Sequence, residues 1–201
     1  MNNIVIGIEG LVGTGKTSIC RKLLDYIPNS IILHGGNLYR GIVYALMQSS
    51  ENINLDNLKQ NLKNINIKNV MDKLKVELKI EDRESVIYVD GKKIEEENLQ
   101  SQEASIAVSL ASGSADNSHF YKFGEELINM FKENFNLIVS GRDLMKIYPS
   151  LDYHFFVTAS LEERIKRKMN QYADSNYEEV KQNIMKRDEL QEKARILQKI
   201  S

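Results

Sequence analysis

Ile4-Val5-Ile6-Gly7-Ile8-Glu9-Gly10-Leu11-Val12-Gly13-Thr14-Gly15-Lys16-Thr17 is the stretch whose reading decides the fold. Its first five residues form a continuous, β-branched apolar run, which predicts a strand buried on both faces, as in a parallel sheet covered by helices. Its last eight satisfy G-x-x-x-x-G-K-[ST]. Beyond them, Ile19, Leu23, Leu24 and Ile27 share one helical face, and Pro28 stops that helix. An apolar strand, a glycine-rich turn and an amphipathic helix therefore follow one another in the order a phosphate-cradling loop requires.

The chemistry follows from the residue types. Glycines let backbone amides turn inward around phosphate oxygens, and the helix amino terminus adds partial positive charge. Gly10, Leu11, Val12, Gly13, Thr14, Gly15, Lys16 and Thr17 are the expected ATP-binding residues. Lys16 can reach the β- and γ-phosphates, and the Thr17 hydroxyl is placed to ligate Mg²⁺. No Asn-Lys-x-Asp motif occurs, which disfavours a GTPase.

Outward from the loop, Ile31-Ile32-Leu33 reads as a second strand. A Gly35-Gly36 turn and a helix through Tyr39, Ile42, Val43 and Leu46 follow. The Asn- and Lys-rich stretch from Asn52 to Asn69, with Leu55, Leu58 and Leu62 at helical spacing, reads as a solvated helical cover. Alternation at Val76–Ile80 and Val86–Val89, with the Asp90-Gly91 turn signal, predicts an antiparallel meander over Lys75–Ile94. Helical spacing returns at Ala104, Ala107, Val108 and Ala111, and again at Phe120, Phe123, Leu127 and Phe131, the latter a core stripe. Leu137–Val139 and His154–Val157 read as two more buried strands. Ser160 and Glu163 form a capping box, and Asn176–Lys199 one or two charged helices. The fold class is α/β: a P-loop-type parallel sheet covered by helices, with a small inserted meander, in one domain over 1–201.

Composition bounds the partners. Hydrophobic residues make up 42% of the chain, ordinary for a globular protein, and 27 basic residues face 28 acidic ones, so nothing marks a nucleic-acid binder. One cysteine, Cys20, excludes an internal disulfide and reads as a packing residue. The amino terminus lacks a basic n-region and an apolar run of spanning length. A cytoplasmic monomer without membrane partners is expected. His34, His119 and His154 lack metal-ligand spacing, and His154 reads as a core histidine.

Three groups fall at the carboxyl ends of expected parallel strands, where open α/β sheets bind ligands: Gly35–Arg40, Ser140–Asp143 and Thr158–Arg167. Phosphoryl transfer needs cations around donor and acceptor, and guanidinium forks suit that geometry. Arg40 and Arg142 together point to an anion site.

From Ile4 to about Asp188 the chain resembles the bacterial cytidylate kinase family. The resemblance is carried by the phosphate loop, Tyr39-Arg40, the meander with Gln102-Glu103 after it, Gly141-Arg142-Asp143, Phe155 to Arg164, and Arg187-Asp188. It implies a nucleoside monophosphate kinase that moves the γ-phosphate of ATP onto CMP or dCMP. It implies an inserted monophosphate-binding subdomain at 63–112 and a lid at 160–188. Tyr39, Arg40, Arg142, Asp143 and Arg187 would hold the acceptor. Lys16, Arg142 and the lid arginines Arg164 and Arg167 would act on the transferring group.

The family pattern is broken at several places. Glu9-Gly10-Leu11 stands where Asp-Gly-Pro is usual, Gly35 where a hydroxyl residue is usual, and Gln100 where an arginine is usual. Gln191 and Ala194 take the places of an aspartate and an arginine, with Arg195 one position off. The family continues past this point into a strand, an adenine-contacting loop and a helix, whereas this chain ends at Ser201. A lost charge-assisted contact costs about 1.5–3 kcal/mol. Two alternatives therefore stay open: a kinase of the same fold with another small acceptor, and a non-catalytic nucleotide-binding protein.

Overall fold

The computed structural model describes residues 3–49, 67–94, 118–170 and 176–200. In chain order they form β1 (Val5–Gly10), α1 (Lys16–Tyr26), β2 (Ser30–His34), α2 (Gly35–Ser49), α3 (Ile67–Leu74), β3 (Val76–Glu81), β4 (Glu84–Val89), β5 (Lys92–Lys93), α4 (Ser118–Lys132), β6 (Asn136–Gly141), α5 (Leu144–Ile147), β7 (Tyr153–Val157), α6 (Leu161–Met169) and α7 (Tyr177–Ile200). The expected helical stretches at 55–62 and 104–111, and Gln100, Gln102 and Glu103, lie outside the described residues. So do the side chains of His119, Phe120, Gln191, Ala194 and Arg195.

Strand β1 is buried at every residue, because β6 pairs with it in parallel on one side and β7 on the other. The sheet runs β3-β4-β2-β6-β1-β7, with β5 on β4. Strands β2, β6, β1 and β7 are parallel, so Gly10, His34, Gly141 and Val157 end along one edge. Successive side chains in each strand point to opposite faces. Ile6, Ile8, Ile32 and Ile138 form one core with Cys20, Leu23, Leu24 and Ile27 from the α1 side. Val5, Ile31, Leu33, Leu137 and Val139 form the other, under Ile128, Leu144 and Ile147. A third core joins α2 to the meander through Leu38, Ile42, Val43, Leu46, Val76 and Ile87. Phe123, Leu127 and Phe131 pack against these cores, as their spacing predicts.

Two expectations fail locally, and one turn went unannounced. Helix α2 starts directly at Gly35, so the Gly35-Gly36 pair is its first turn and no separate turn precedes it. The meander has a second tight turn at Asp82-Arg83, with φ of 46° and 67°, which carries no glycine to announce it. The run His154–Val157 is not buried: β7 is the outer strand, and Tyr153, Phe155 and Phe156 are 55%, 52% and 43% exposed. Local hydrophobicity identifies a strand but not its rank in the sheet. His154 accordingly leaves the core and stands with its Nε2 3.2 Å from Glu9 Oε1.

Leu137, fully buried in the middle of the sheet, gives a direct test of this core. Leu137→Ala is expected to cost about 2–5 kcal/mol. Urea unfolding should show the midpoint falling with an unchanged slope.

Candidate active site

The loop between β1 and α1 is shaped by what surrounds it. Gly10 has φ 152°, and a Cβ there would lie 2.4 Å from the Val157 carbonyl oxygen, so β7 runs too close for any side chain. Gly13, at φ 76°, faces the backbone of Arg164 within 3.1 Å of a built Cβ. Gly15 occupies the N-cap of α1 in the left-handed region and provides no side-chain cap, and no acidic residue occupies the first turn. The first amides of α1 are thus left facing the loop, the arrangement that favours an anion. Thr14 Oγ1 donates to Leu11 O at 2.9 Å, and Lys16 Nζ donates to Gly10 O and Leu11 O at 2.7 and 2.8 Å.

Cations from three further elements converge on Lys16. Its pKa is lowered from 10.5 to about 8, by burial first and then by the charges of Arg142, Arg187 and Arg40 in that order of weight. Arg40 rises from the first turns of α2, Arg142 follows β6, and Arg187 sits on α7. The structure therefore gathers arginines that lie as far apart as 40 and 187 around one ammonium. Arg40 Nη1 is held by Asn37 Oδ1 at 3.0 Å. Asp143 adopts a left-handed conformation, φ 53°, as N-cap of α5, and its carbonyl receives Lys146 N and Ile147 N. Tyr39 lies deeper, lining an apolar cavity with Leu38, Gly124 and Leu127; burial raises its phenol above the ordinary range.

The expected lid arginines are both tied to the loop backbone. Arg164 is 3% exposed; its Nε donates to Val12 O at 2.8 Å, and its Nη2 to both Asp188 oxygens at 2.8 and 2.7 Å. Arg167 Nη1 donates to Thr14 O at 2.9 Å, while its Nη2 stands 3.8 Å from Glu163. Val12 packs among Ile165, Val180 and Ile184, so α6 and α7 close beneath the loop tip. Ser160 caps α6 by accepting from Glu163 N at 3.2 Å, as the Ser160–Glu163 spacing predicts.

Two partners were not legible in the sequence. Glu9, buried at the end of β1, accepts Leu144 N at 2.6 Å and so joins the loop's root to the turn bearing Arg142 and Asp143. Asp188 receives Arg164 across a gap of 24 residues. No linear spacing links such pairs, and only the α6–α7 packing brings Asp188 to Arg164. Cys20 is fully buried in the α1 core; burial pushes its thiol up to about 11, consistent with a packing role.

Mg²⁺ fits this site through one protein oxygen. Among the described residues no group of three or more His, Cys, Asp or Glu could hold a metal by itself. The Thr17 hydroxyl on the first turn of α1 matches an ion carried mainly by substrate phosphates and water.

Lys16 sets a pH dependence. The folded protein releases this proton near pH 8, whereas the unfolded chain holds it to about 10.5. The unfolded state then binds more protons, so stability rises with pH across that window. Relative to Lys16→Met, the wild type should gain on the order of 2–3 kcal/mol between pH 8 and 10. Urea titrations at both pH values check this, and a constant difference between the two proteins would refute it.

Known proteins agree with the geometry. The family model described as cytidylate kinase matches residues 6–200. The cytidylate kinase of Caldanaerobacter subterraneus subsp. tengcongensis is 31% identical over 198 residues, covering 93% of this chain and 78% of that protein. That of Mycoplasmopsis pulmonis is 29% identical over 191 residues, covering 92% and 78%. That of Clostridioides difficile is 29% identical over 195 residues, covering 94% and 82%. A match across nearly the whole chain, on a parallel sheet with a phosphate loop ringed by arginines, places this chain in the cytidylate kinase family of phosphotransferases.

Proposed function

We propose that this chain transfers the γ-phosphate of ATP to CMP or dCMP. The observation that carries the reading is the convergence of Arg40, Arg142 and Arg187 on Lys16, which supplies cations to two phosphate groups at once. In-line transfer forms a bond from an acceptor phosphate oxygen to the γ-phosphorus and breaks the bond to the β–γ bridging oxygen, releasing ADP. Little covalent work falls to the protein; positioning and charge do the catalysis. The amides of Gly10–Thr17 and Lys16 hold the donor, and Mg²⁺ on Thr17 would neutralise phosphate charge. Arg40, Arg142, Asp143 and Arg187 hold the acceptor, and Tyr39, the fifth expected acceptor contact, lines the apolar cavity beside Gly124.

The lid arginines divide between two roles. Arg167 is half-exposed, and its hydrogen bond to Thr14 O keeps it beside the loop that would hold the donor. Arg164, buried on Val12 O and Asp188, acts through the loop by fixing its backbone. In this reading 63–112 forms the acceptor subdomain and 160–188 the lid. The chain works in the cytoplasm as a monomer on free small molecules.

ADP release from Mg·ATP, measured against a panel of nucleoside monophosphates, tests the proposal. CMP or dCMP should give the fastest turnover, and Lys16→Ala should lower kcat by roughly 10²–10³-fold. ATP binding without turnover on any monophosphate would overturn it.

A further inference from the structure

The hairpin turn between β3 and β4 makes more contacts than a hairpin needs. Asp82 and Arg83 both hold positive φ, a conformation that glycine and asparagine adopt more readily. From that turn the Arg83 side chain reaches across to the carboxyl end of α1. Its Nε donates to Ser30 O at 2.9 Å, and its Nη2 to Leu24 O, Ile27 O and Ser30 Oγ at 3.0, 3.2 and 2.8 Å. Helix-terminal carbonyls lack intrahelical donors, and a cation there complements the dipole. The Arg83 carbonyl also accepts Ile32 N at 2.8 Å.

The next residue extends the same junction. Glu84 Oε1 accepts Arg21 Nε at 2.7 Å, and Oε2 meets Arg21 Nη2 at 3.2 Å and His34 Nε2 at 2.8 Å. His34 N donates to Ser85 Oγ at 2.8 Å. Burial would raise the Glu84 carboxyl, but the hydrogen bonds from Arg21 and His34 outweigh it and hold the group below its ordinary value. Between β2 and β4 the described ladder is a single pair, Ile32 with Glu84. Side chains therefore do most of the joining here.

Arg21 is 56% exposed, so its pair with Glu84 adds little to stability by itself. What the junction controls is geometry. Helix α1 carries Lys16 and Thr17 at its other end, and His34 immediately precedes α2, which carries Arg40. We propose that Arg83 and Glu84 are positioning residues for phosphoryl transfer: the turn fixes α1 against the end of β2, and with it the donor phosphates against the acceptor. The inference rests on the kinase reading above. Neither residue belongs to the phosphate loop or to the arginine cluster around Lys16. The donor alone is held by the loop and the first turn of α1, which move together, so ATP binding persists when the junction loosens. The in-line register is what degrades, and about an ångström of misplacement can lower the rate by roughly a hundredfold.

Steady-state kinetics of full-length Arg83→Met, Arg83→Lys and Glu84→Gln, using the acceptor turned over by the wild type, provide the test. Glu84→Gln keeps side-chain shape and serves if Arg83→Met does not fold. In folded variants kcat should fall by roughly tenfold or more, with the ATP KM within about twofold of wild type. Arg83→Lys should recover part of the loss, since it restores a cation at the α1 carbonyls. Wild-type kcat in folded Arg83→Met or Glu84→Gln would overturn the proposal while leaving the kinase reading intact. If the wild type turns over no monophosphate, the kinase reading fails, and amide hydrogen exchange of residues 16–26 decides the junction. Faster exchange in the variants than in Lys79→Gln would support the coupling; identical exchange would overturn it.

Discussion

The parallel pairing of β1 on both edges is the constraint on which the remainder of the molecule depends. A strand flanked by β6 and β7 and covered on both faces has no solvent-facing side, so all six residues are buried. Its backbone groups are satisfied laterally, and its end is fixed in space to within the tolerance of two hydrogen-bond ladders. The loop that follows inherits that precision. Gly10 must pass the Val157 carbonyl with no Cβ, and Glu9, the last side chain before it, anchors the turn that bears Arg142. The Gly10–Thr17 loop and the turn bearing Arg142 are thereby set from one strand end.

A cluster of like charges is costly to assemble, and here burial first and the neighbouring arginines second lower the pKa of Lys16. Such a cluster is in tension with folding and in harmony with a polyanionic ligand, whose phosphates reverse the repulsion. The strain is offset nearby. The Arg164 guanidinium is neutralised by a bidentate aspartate, and Val12 packs into an apolar patch of α6 and α7. Loop carbonyls, which would otherwise oppose an incoming anion, are engaged by Lys16, Arg164 and Arg167. The loop therefore has its carbonyls tied to cations.

The two ends of the β2-β6-β1-β7 block are treated differently. At β2 the meander joins through one ladder pair, and arginine and glutamate side chains add to that short backbone pairing. At β7 aromatic side chains remain at the surface, with Tyr153 and Phe155 stacked 6.5 Å apart. Both ends obey the same physics: a strand's neighbours determine whether its apolar residues are buried, whatever its own composition.

Much of the design is local and was legible. The β-branched run, the Gly10–Thr17 loop, the α1 stripe, the alternation of the meander and the Ser160 cap each follow from spacing within a turn or two. The placement of Arg40 and Arg142 at strand ends was legible too, because parallel strands share one carboxyl edge. Three things were not. The rank of β7 depends on which strand stands beside it, so an apolar sequence was read as buried. The turn at Asp82-Arg83 has no glycine, because side-chain contacts to α1 hold a conformation that local preference would not select. The partnership of Arg164 with Asp188, and of Glu9 with Leu144 N, spans tens to more than a hundred residues. Sequence by itself determined most of the strands and helices described and the glycine-rich turn between β1 and α1, since those depend on near neighbours along the chain. Tertiary structure alone decided which charges meet, because hydrogen bonds and ion pairs act through distances that only packing sets.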